Sequence, residues 1–286
     1  MEILSFLAAP FIASLILSGI HAYLGVHVVE RGVIFVDLSL AQIAALGASI
    51  AIIYGADPHT ATAYWVSLAF TFIGAFVFAN VRGKHSRIPQ EAIIGICYAV
   101  ASAATILAMS KATGETEHLK DMLVGNLLFV SWHDVWKTAL LYGAVGLFHY
   151  RFRKNFLAIS MNHNAERVNG MSVRFWDLLF YGSFGFVVTS SVAIAGVLLV
   201  FSYLIVPSVA GMLFAKTIGK RLAIAWSMGT IVSALGIFLS VKFDLPTGAT
   251  IVCTFGIVLA VMGCVKAVFH RHTEDLPAFE VKTAVS

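Results

Sequence analysis

The sequence predicts an all-α protein, a polytopic membrane bundle of about nine transmembrane helices within a range of eight to ten. Of its 286 residues, 59% are hydrophobic and only 12% are charged, and the mean hydropathy is +0.88. Soluble domains average about 45–50% apolar and about 25% charged residues, so lipid must cover this chain. The apolar runs are too long for strands and lack their period-two alternation. At roughly 20 residues per span, little room is left for a soluble domain.

The apolar runs place the spans along the chain. The predicted spans are 3–25, 32–54, 62–81, 91–110, 134–150, 177–196, 198–215, 222–241 and 248–268. The stretch 177–215 is also compatible with one long broken segment, because Pro207 and Gly211 would interrupt a helix. The run 118–131 is too short to span and is predicted to form a half-helix near one surface. We therefore expect a transmembrane domain over 1–269 and a cytoplasmic tail over 270–286.

The basic residues predict which ends of the spans face the cytoplasm. They gather in alternate loops at Arg82, Lys84 and Arg87, at Arg151, Arg153 and Lys154, and at Lys216, Lys220 and Arg221. The positive-inside rule then places the N-terminus outside and the C-terminus in the cytoplasm of a bacterial cell, as a multi-pass protein of the cytoplasmic (inner) membrane. The net charge of +4 reflects this topology, so no nucleic-acid partner is expected.

Two loops stand out by composition. In the cytoplasmic loop 151–175, Asn162 or Asn164 could cap a short helix that ends before Gly170. Such a helix would either dock onto a soluble partner or serve as a structured connector. On the outer side, Asp244-Leu-Pro246-Thr-Gly248 is typical of a tight turn between two helices.

Several segments follow one another in a familiar order. They are Arg31-Gly-Val-Ile-Phe35, Glu91-Ala-Ile-Ile-Gly95, Ala165 to Gly170, Gly196-Val-Leu-Leu-Val-Phe-Ser-Tyr-Leu-Ile-Val-Pro207, and Leu235-Gly-Ile-Phe-Leu-Ser240 followed by Asp244-Leu-Pro-Thr-Gly-Ala. Together they resemble the permease subunits of metal-importing ABC transporters, in the branch that carries zinc, manganese or iron. The resemblance extends over most of the chain.

This resemblance implies a permease that moves a divalent metal cation as its substrate and holds no cofactor. An extracytoplasmic substrate-binding protein would deliver the metal, and the permease would form a homodimer or pair with a paralogous permease. Separate cytoplasmic ATP-binding subunits would supply the energy and contact Asn164, Ala165, Glu166 and Gly170. In agreement, the chain contains no GxxxxGK[ST] phosphate-binding loop, and we expect it not to be an enzyme.

In the family that this chain resembles, helix two carries a metal-binding Asp and His four residues apart. In this sequence the pair is not intact. Asp37 is followed by Ala41, and an alignment on Phe35 and Gly47 places Leu38 and Gln42 at the ligand positions instead. The resemblance therefore leaves the identity of the metal open.

Three residues remain candidate metal ligands. Asp37 is either an ion-path carboxylate or a helix-end acid that pairs with Arg31 or caps exposed amides. Gln42 either binds metal weakly or bridges helices by hydrogen bonding, and His21 is either a ligand or a packing residue. His27 is expected to be solvated at the cytoplasmic turn. The alternative function is a secondary carrier or channel for a small cation that works without an ATPase.

Overall fold

The computed structural model describes residues 2–57, 60–81, 88–110, 125, 127–162, 167–168 and 170–274. Within these residues the predicted all-α fold is confirmed. The helices are α1 (Glu2–Arg31), α2 (Val36–Ile53), α3 (Ala61–Val81), α4 (Gln90–Met109), α5 (Trp132–Arg151), α6 (Arg153–Met161), α7 (Val173–Phe214), α8 (Ile218–Phe243) and α9 (Thr247–Glu274). A 3₁₀ turn covers Leu127–Phe129, and the short strands β1 (Arg167–Val168) and β2 (Met171–Ser172) pair antiparallel.

Seven of the described helices are long and apolar enough to cross a membrane: α1, α2, α3, α4, α7, α8 and α9. Helix α5, which matches the predicted span 134–150, is not among them, because polar side chains at both of its ends lower its hydropathy. Of the predicted half-helix over 118–131, only the 3₁₀ turn and its neighbours belong to the described residues. Of the predicted tail, α9 covers residues up to Glu274, and the rest lies outside the described part.

Helix α7 reverses direction at Gly196, whose φ of 74° and ψ of 161° are not helical. Near the start of α7, Asp177 contacts Arg31 at 2.6 Å, and near its end Ser208 contacts the Ala22 carbonyl at 3.2 Å. A straight helix would separate Asp177 from Ser208 by about 46 Å, whereas Ala22 and Arg31 are about 14 Å apart along α1. The chain therefore forms two antiparallel helices, α7a (173–195) and α7b (197–214), which coincide with the predicted runs 177–196 and 198–215.

Small residues allow the helices to pack closely. Helix α2 lies against α3, α4 and α7 and buries most of its circumference. A Cβ atom on Gly47 would lie 2.9 Å from the Cα atom of Ser67 on α3, so these two backbones touch. Helices associate in lipid through such packing, because lipid tails remove the hydrophobic drive between them. Helix α4 instead presents Ile96, Val100 and Leu107 to its surroundings, as a lipid-facing surface requires.

Basic residues collect at the end of the bundle where α1 ends, which we call the cytoplasmic end. Helix α6, the hairpin β1–β2 and the starts of α7 and α8 all lie at this end. It carries Arg151, Arg153, Lys154, Arg174, Lys216, Lys220 and Arg221. This distribution agrees with the predicted topology.

Candidate functional site

The three predicted metal ligands do not form one cluster. His21 and Asp37 belong to no group of three or more His, Cys, Asp or Glu side chains that could hold a metal ion within the described residues. Asp37 and Gln42 are five residues apart on α2, which places them about 140° apart around the helix axis. They therefore do not present their side chains to one common point on a single chain.

His21 is fully buried in α1 and bonded to its own helix. Its Nδ1 atom lies 2.7 Å from the Leu17 carbonyl, which accepts the ring proton, and its ring meets that of Tyr142 edge-on at 6.3 Å. The Nε2 atom has no hydrogen-bond partner among the described residues. The packing interpretation accounts for one side of the ring and leaves one nitrogen free.

Asp37 lies in the first turn of α2 with only 1% of its surface exposed. The alternative that it pairs with Arg31 is wrong, because Arg31 donates to Asp177 instead. Its Oδ1 atom has no hydrogen-bond partner within the described part of the chain. A second carboxylate lies near the start of α2, because Glu91 at the start of α4 accepts a hydrogen bond from the Phe35 amide at 3.0 Å. An acidic end of α2 and α4 is thus present near the cytoplasmic side.

Polar contacts inside the bundle hold α5 against α7a. The Tyr142 hydroxyl bonds both Ser191 and Ser190, the latter at 3.1 Å. One helix further, the hydroxyls of Thr71 on α3 and Thr189 on α7a lie 2.9 Å apart. Because hydroxyl pairs in lipid have few competing partners, these contacts fix which faces of the helices meet.

The cytoplasmic segment differs from its prediction. A helix ending before Gly170 was expected, but residues 167–168 form a strand that pairs with 171–172, and Gly170 lies in the turn between them with a φ of 79°. Positive φ favours glycine at a helix end and at a hairpin turn alike. Gly170 therefore ends the segment in the expected backbone conformation, but the predicted helix before it is wrong. Three predicted ATPase contacts, Asn164, Ala165 and Glu166, lie outside the described residues.

The hairpin lies at the cytoplasmic end of the bundle and is partly exposed. Met161 is 53% exposed, and Gly170 is exposed as well, whereas Val168 and Val173 pack against Ile159 of α6. We call α6 together with the described residues of the hairpin the cytoplasmic protrusion (153–162, 167–168 and 170–172). Val168 and Val173 therefore hold the hairpin against α6, while Gly170 in the hairpin turn is accessible to a soluble partner.

The external turn is shorter than predicted. Asp244 caps α8 in the left-handed conformation with a φ of 51°. The Ser240 hydroxyl donates to the Leu245 carbonyl at 2.7 Å and lies 2.7 Å from the Thr247 hydroxyl. Pro246 is the last residue before α9, whereas Gly248 lies inside the first turn of α9 rather than in the turn itself.

A buried polar cluster at the cytoplasmic end was not predicted from the sequence. Arg31 and Asp177 form an ion pair of 2.6 Å whose side chains are 1% and 0% exposed. His27, expected to be solvated, is buried with its Nδ1 atom 2.9 Å from the Ser160 hydroxyl. The only hint of this ion pair in the sequence was an acid, Asp177, near the start of one apolar run and an arginine, Arg31, at the end of another.

Comparisons with known proteins cover nearly the whole chain. The profile of the ABC 3 transport family matches residues 4–266. Manganese transport system membrane protein MntC of Listeria monocytogenes serovar 1/2a is 25% identical over 254 residues, which are 89% of this chain and 88% of that protein. Chelated iron transport system membrane protein YfeD of Yersinia pestis is 25% identical over 233 residues, 79% and 76% of the two chains.

A solved structure shares the fold. The structure of PsaBC from Streptococcus pneumoniae in complex with Fab superposes with a TM-score of 0.75 at 23% identity, over 90% of each chain. At this identity the likeness concerns the path of the backbone.

Proposed function

Because the chain belongs to the ABC 3 transport family, we propose that it is the membrane permease subunit of an ATP-binding-cassette importer for a divalent metal cation. Relatives that cover most of the chain are named for manganese and for chelated iron transport, which supports a transition metal as cargo. The structural observation that carries the proposal is the cytoplasmic protrusion. It is anchored to the spans on one side and exposed to a partner on the other.

We propose nine membrane spans. Seven helices are apolar enough by themselves, the reversal at Gly196 divides α7 into two spans, and α5 is the ninth. The side-chain contacts of α5 support its inclusion, since Tyr142 meets His21 of α1 and Ser191 of α7a at the depth of the bundle interior. Alternating directions then place the N-terminus outside and the C-terminus, including the tail, in the cytoplasm.

We propose that cytoplasmic ATPase subunits bind the protrusion through Asn164, Ala165, Glu166 and the hairpin turn at Gly170. The chain has no phosphate-binding loop of its own, so ATP hydrolysis belongs to another subunit. A second permease copy or a paralogue would complete the path, and a binding protein would dock at the outer end near Asp244, Pro246 and Gly248.

We propose Asp37 as the carboxylate that lines the inner part of the metal path. Carboxylate oxygen can coordinate manganese, iron and zinc, and the Oδ1 atom of Asp37 has no hydrogen-bond partner among the described residues. Burial of an ionisable group in a span is costly and is therefore a mark of function. Gln42 is a weaker candidate because the amide is a poor ligand, whereas His21 donates from Nδ1 to the Leu17 carbonyl and keeps its Nε2 atom available.

The test is transport by the complete complex in proteoliposomes, with uptake of manganese, zinc and iron measured separately. We expect ATP-dependent uptake of at least one metal, and Gly170→Val is expected to reduce import per ATP hydrolysed because valine resists a φ of 79°. Gly263→Val, where nothing lies within 4 Å, is the matched control. Metal uptake that persists without ATP and without a co-purifying ATPase would instead establish the stand-alone carrier.

A further inference from the structure

Four buried polar residues join the protrusion to the membrane helices. We call them the clamp: His27 and Arg31 of α1, Ser160 of α6 and Asp177 of α7a. The Ser160 oxygen accepts a hydrogen bond from Arg31 Nε at 2.9 Å and lies 2.9 Å from His27 Nδ1, to which its own proton can be donated. Arg31 Nη1 donates to Asp177 Oδ1 at 2.6 Å. One serine hydroxyl thus connects α6 to two residues of α1 and, through Arg31, to α7a.

Aromatic rings enclose the clamp on the remaining sides. The guanidinium carbon of Arg31 lies 3.9 Å from the centre of the Phe180 ring on α7a. Phe156 of α6 stacks on His149 of α5, with ring centres 4.2 Å apart and planes at 9°. His149 in turn places its Nε2 atom 2.8 Å from the Ser183 hydroxyl on α7a. The four clamp residues are almost completely buried, so their polar groups depend on one another for hydrogen bonds.

Stability alone does not explain an ion pair in this position. Removing two charges from water costs about as much as their attraction returns, and a well-packed apolar group often serves equally well. What directional bonds add is a fixed position along the helix axis, because sliding α6 by a fraction of a turn would break them while apolar contacts would re-form. A nine-residue helix such as α6 is too short to be stable by itself, so its position depends on the contacts it makes with the membrane helices.

We propose that Ser160 is the positioning residue through which the protrusion moves the membrane helices. When an ATPase displaces α6, the two bonds of Ser160 make α1 follow, and the Arg31–Asp177 pair makes α7a follow with it. This inference rests on the proposed function, since it names the contact by which ATP hydrolysis would reach the path. Without the hydroxyl, α6 stays packed through Phe156 and Ile159 but transmits its motion poorly.

The experiment compares Ser160→Ala with Ser208→Ala in the complete complex, reconstituted with its ATPase and binding protein. Ser208 is an equally buried serine on α7b that contacts the Ala22 carbonyl of α1 and has no bond to α6. The measured quantity is metal imported per ATP hydrolysed. For Ser160→Ala we expect a fall of about fivefold or more, the lower range of coupling between distant sites, with ATPase activity kept. Ser208→Ala and Ser160→Thr, which restores the hydroxyl, should keep the wild-type ratio.

The outcomes separate the two proposals. No ATP-dependent import by the wild-type complex would refute the proposed function itself. Import by the wild type together with an unchanged ratio in Ser160→Ala, or a parallel loss of ATPase and import, would overturn the role of the clamp. If Ser160→Ala does not assemble, the same comparison is made with Arg31→Lys, which keeps a charge opposite Asp177 but lacks the Nε donor.

Discussion

Replacing Gly25 with alanine should force α1 and α7b apart. A Cβ atom at this position would lie 2.0 Å from the Leu204 carbonyl oxygen and 2.3 Å from the Ser208 hydroxyl. The first obstacle is backbone, which no side-chain rotation can clear. To reach an ordinary separation of 3.4 Å, the helices must move by about 1.4 Å. The movement also stretches the bond from Ser208 to Ala22, which is already 3.2 Å long.

The expected cost follows from two opposing effects. Overpacking of this kind costs about 1–3 kcal/mol, whereas alanine in place of a helical glycine returns about 0.5–1 kcal/mol. At the middle of both ranges the net loss is about 1.3 kcal/mol, which corresponds to a fall in the unfolding temperature of roughly 3–5 °C for a chain of this size. The assay is thermal unfolding in detergent, followed by the fraction of the protein that remains monodisperse after heating.

Gly19→Ala is the matched control. Gly19 lies on the same helix, and a Cβ atom there would meet nothing within 4 Å. This variant should unfold at the wild-type temperature or slightly above it. If Gly25→Ala proves as stable as Gly19→Ala, the close approach of α1 and α7b is refuted, and with it the argument that backbone contact orders these helices.

Two further substitutions test other parts of the fold by the same heating assay. Gly196→Ala places a side chain at a φ of 74° and a ψ of 161°, a conformation open almost only to glycine, and should cost about 1–3 kcal/mol because the reversal of α7 depends on it. Unchanged stability would contradict the reversal. Tyr142→Phe removes the hydroxyl that bonds Ser190 and Ser191, and an interhelical hydrogen bond in a membrane is worth about 0.6 kcal/mol on average. A small fall in unfolding temperature is expected, and a rise would speak against these bonds.

The spans could be predicted because their signal is local. Apolar length alone defines a helix in lipid, so the run 32–54 became α2 (Val36–Ile53), and the runs on each side of Gly196 became α7a and α7b. The hairpin at 167–172 could not be predicted in the same way. Its local signal, a glycine after polar residues, fits a helix end and a turn equally, and only the pairing with the next strand decides between them.

The clamp could not be predicted because its members are distant in sequence. Arg31 and Asp177 are separated by 146 residues, and Arg31 and Ser160 by 129. Each residue taken alone had an ordinary explanation, as a basic residue at a helix end, an acid near a helix start or a serine within a helix. The sequence therefore offered the neighbouring acid Asp37 as one partner for Arg31, whereas in the folded chain Arg31 pairs with Asp177 of α7a.

The helices of this bundle are held by two kinds of contact, close approach at glycines and buried hydrogen bonds. Between helices in lipid, glycine allows close approach without directional bonds. Gly25 meets the backbone of α7b, Gly211 meets the Arg221 carbonyl, and Gly229 meets the Ser18 side chain. These three contacts join α1, α7b and α8 to one another. Where a short cytoplasmic helix must keep one defined position, directional bonds through Ser160 are used instead. Because the clamp binds both α1 and α7a, and the glycine contacts join α1 to α7b and α8, we expect a displacement of the protrusion to move these four spans together.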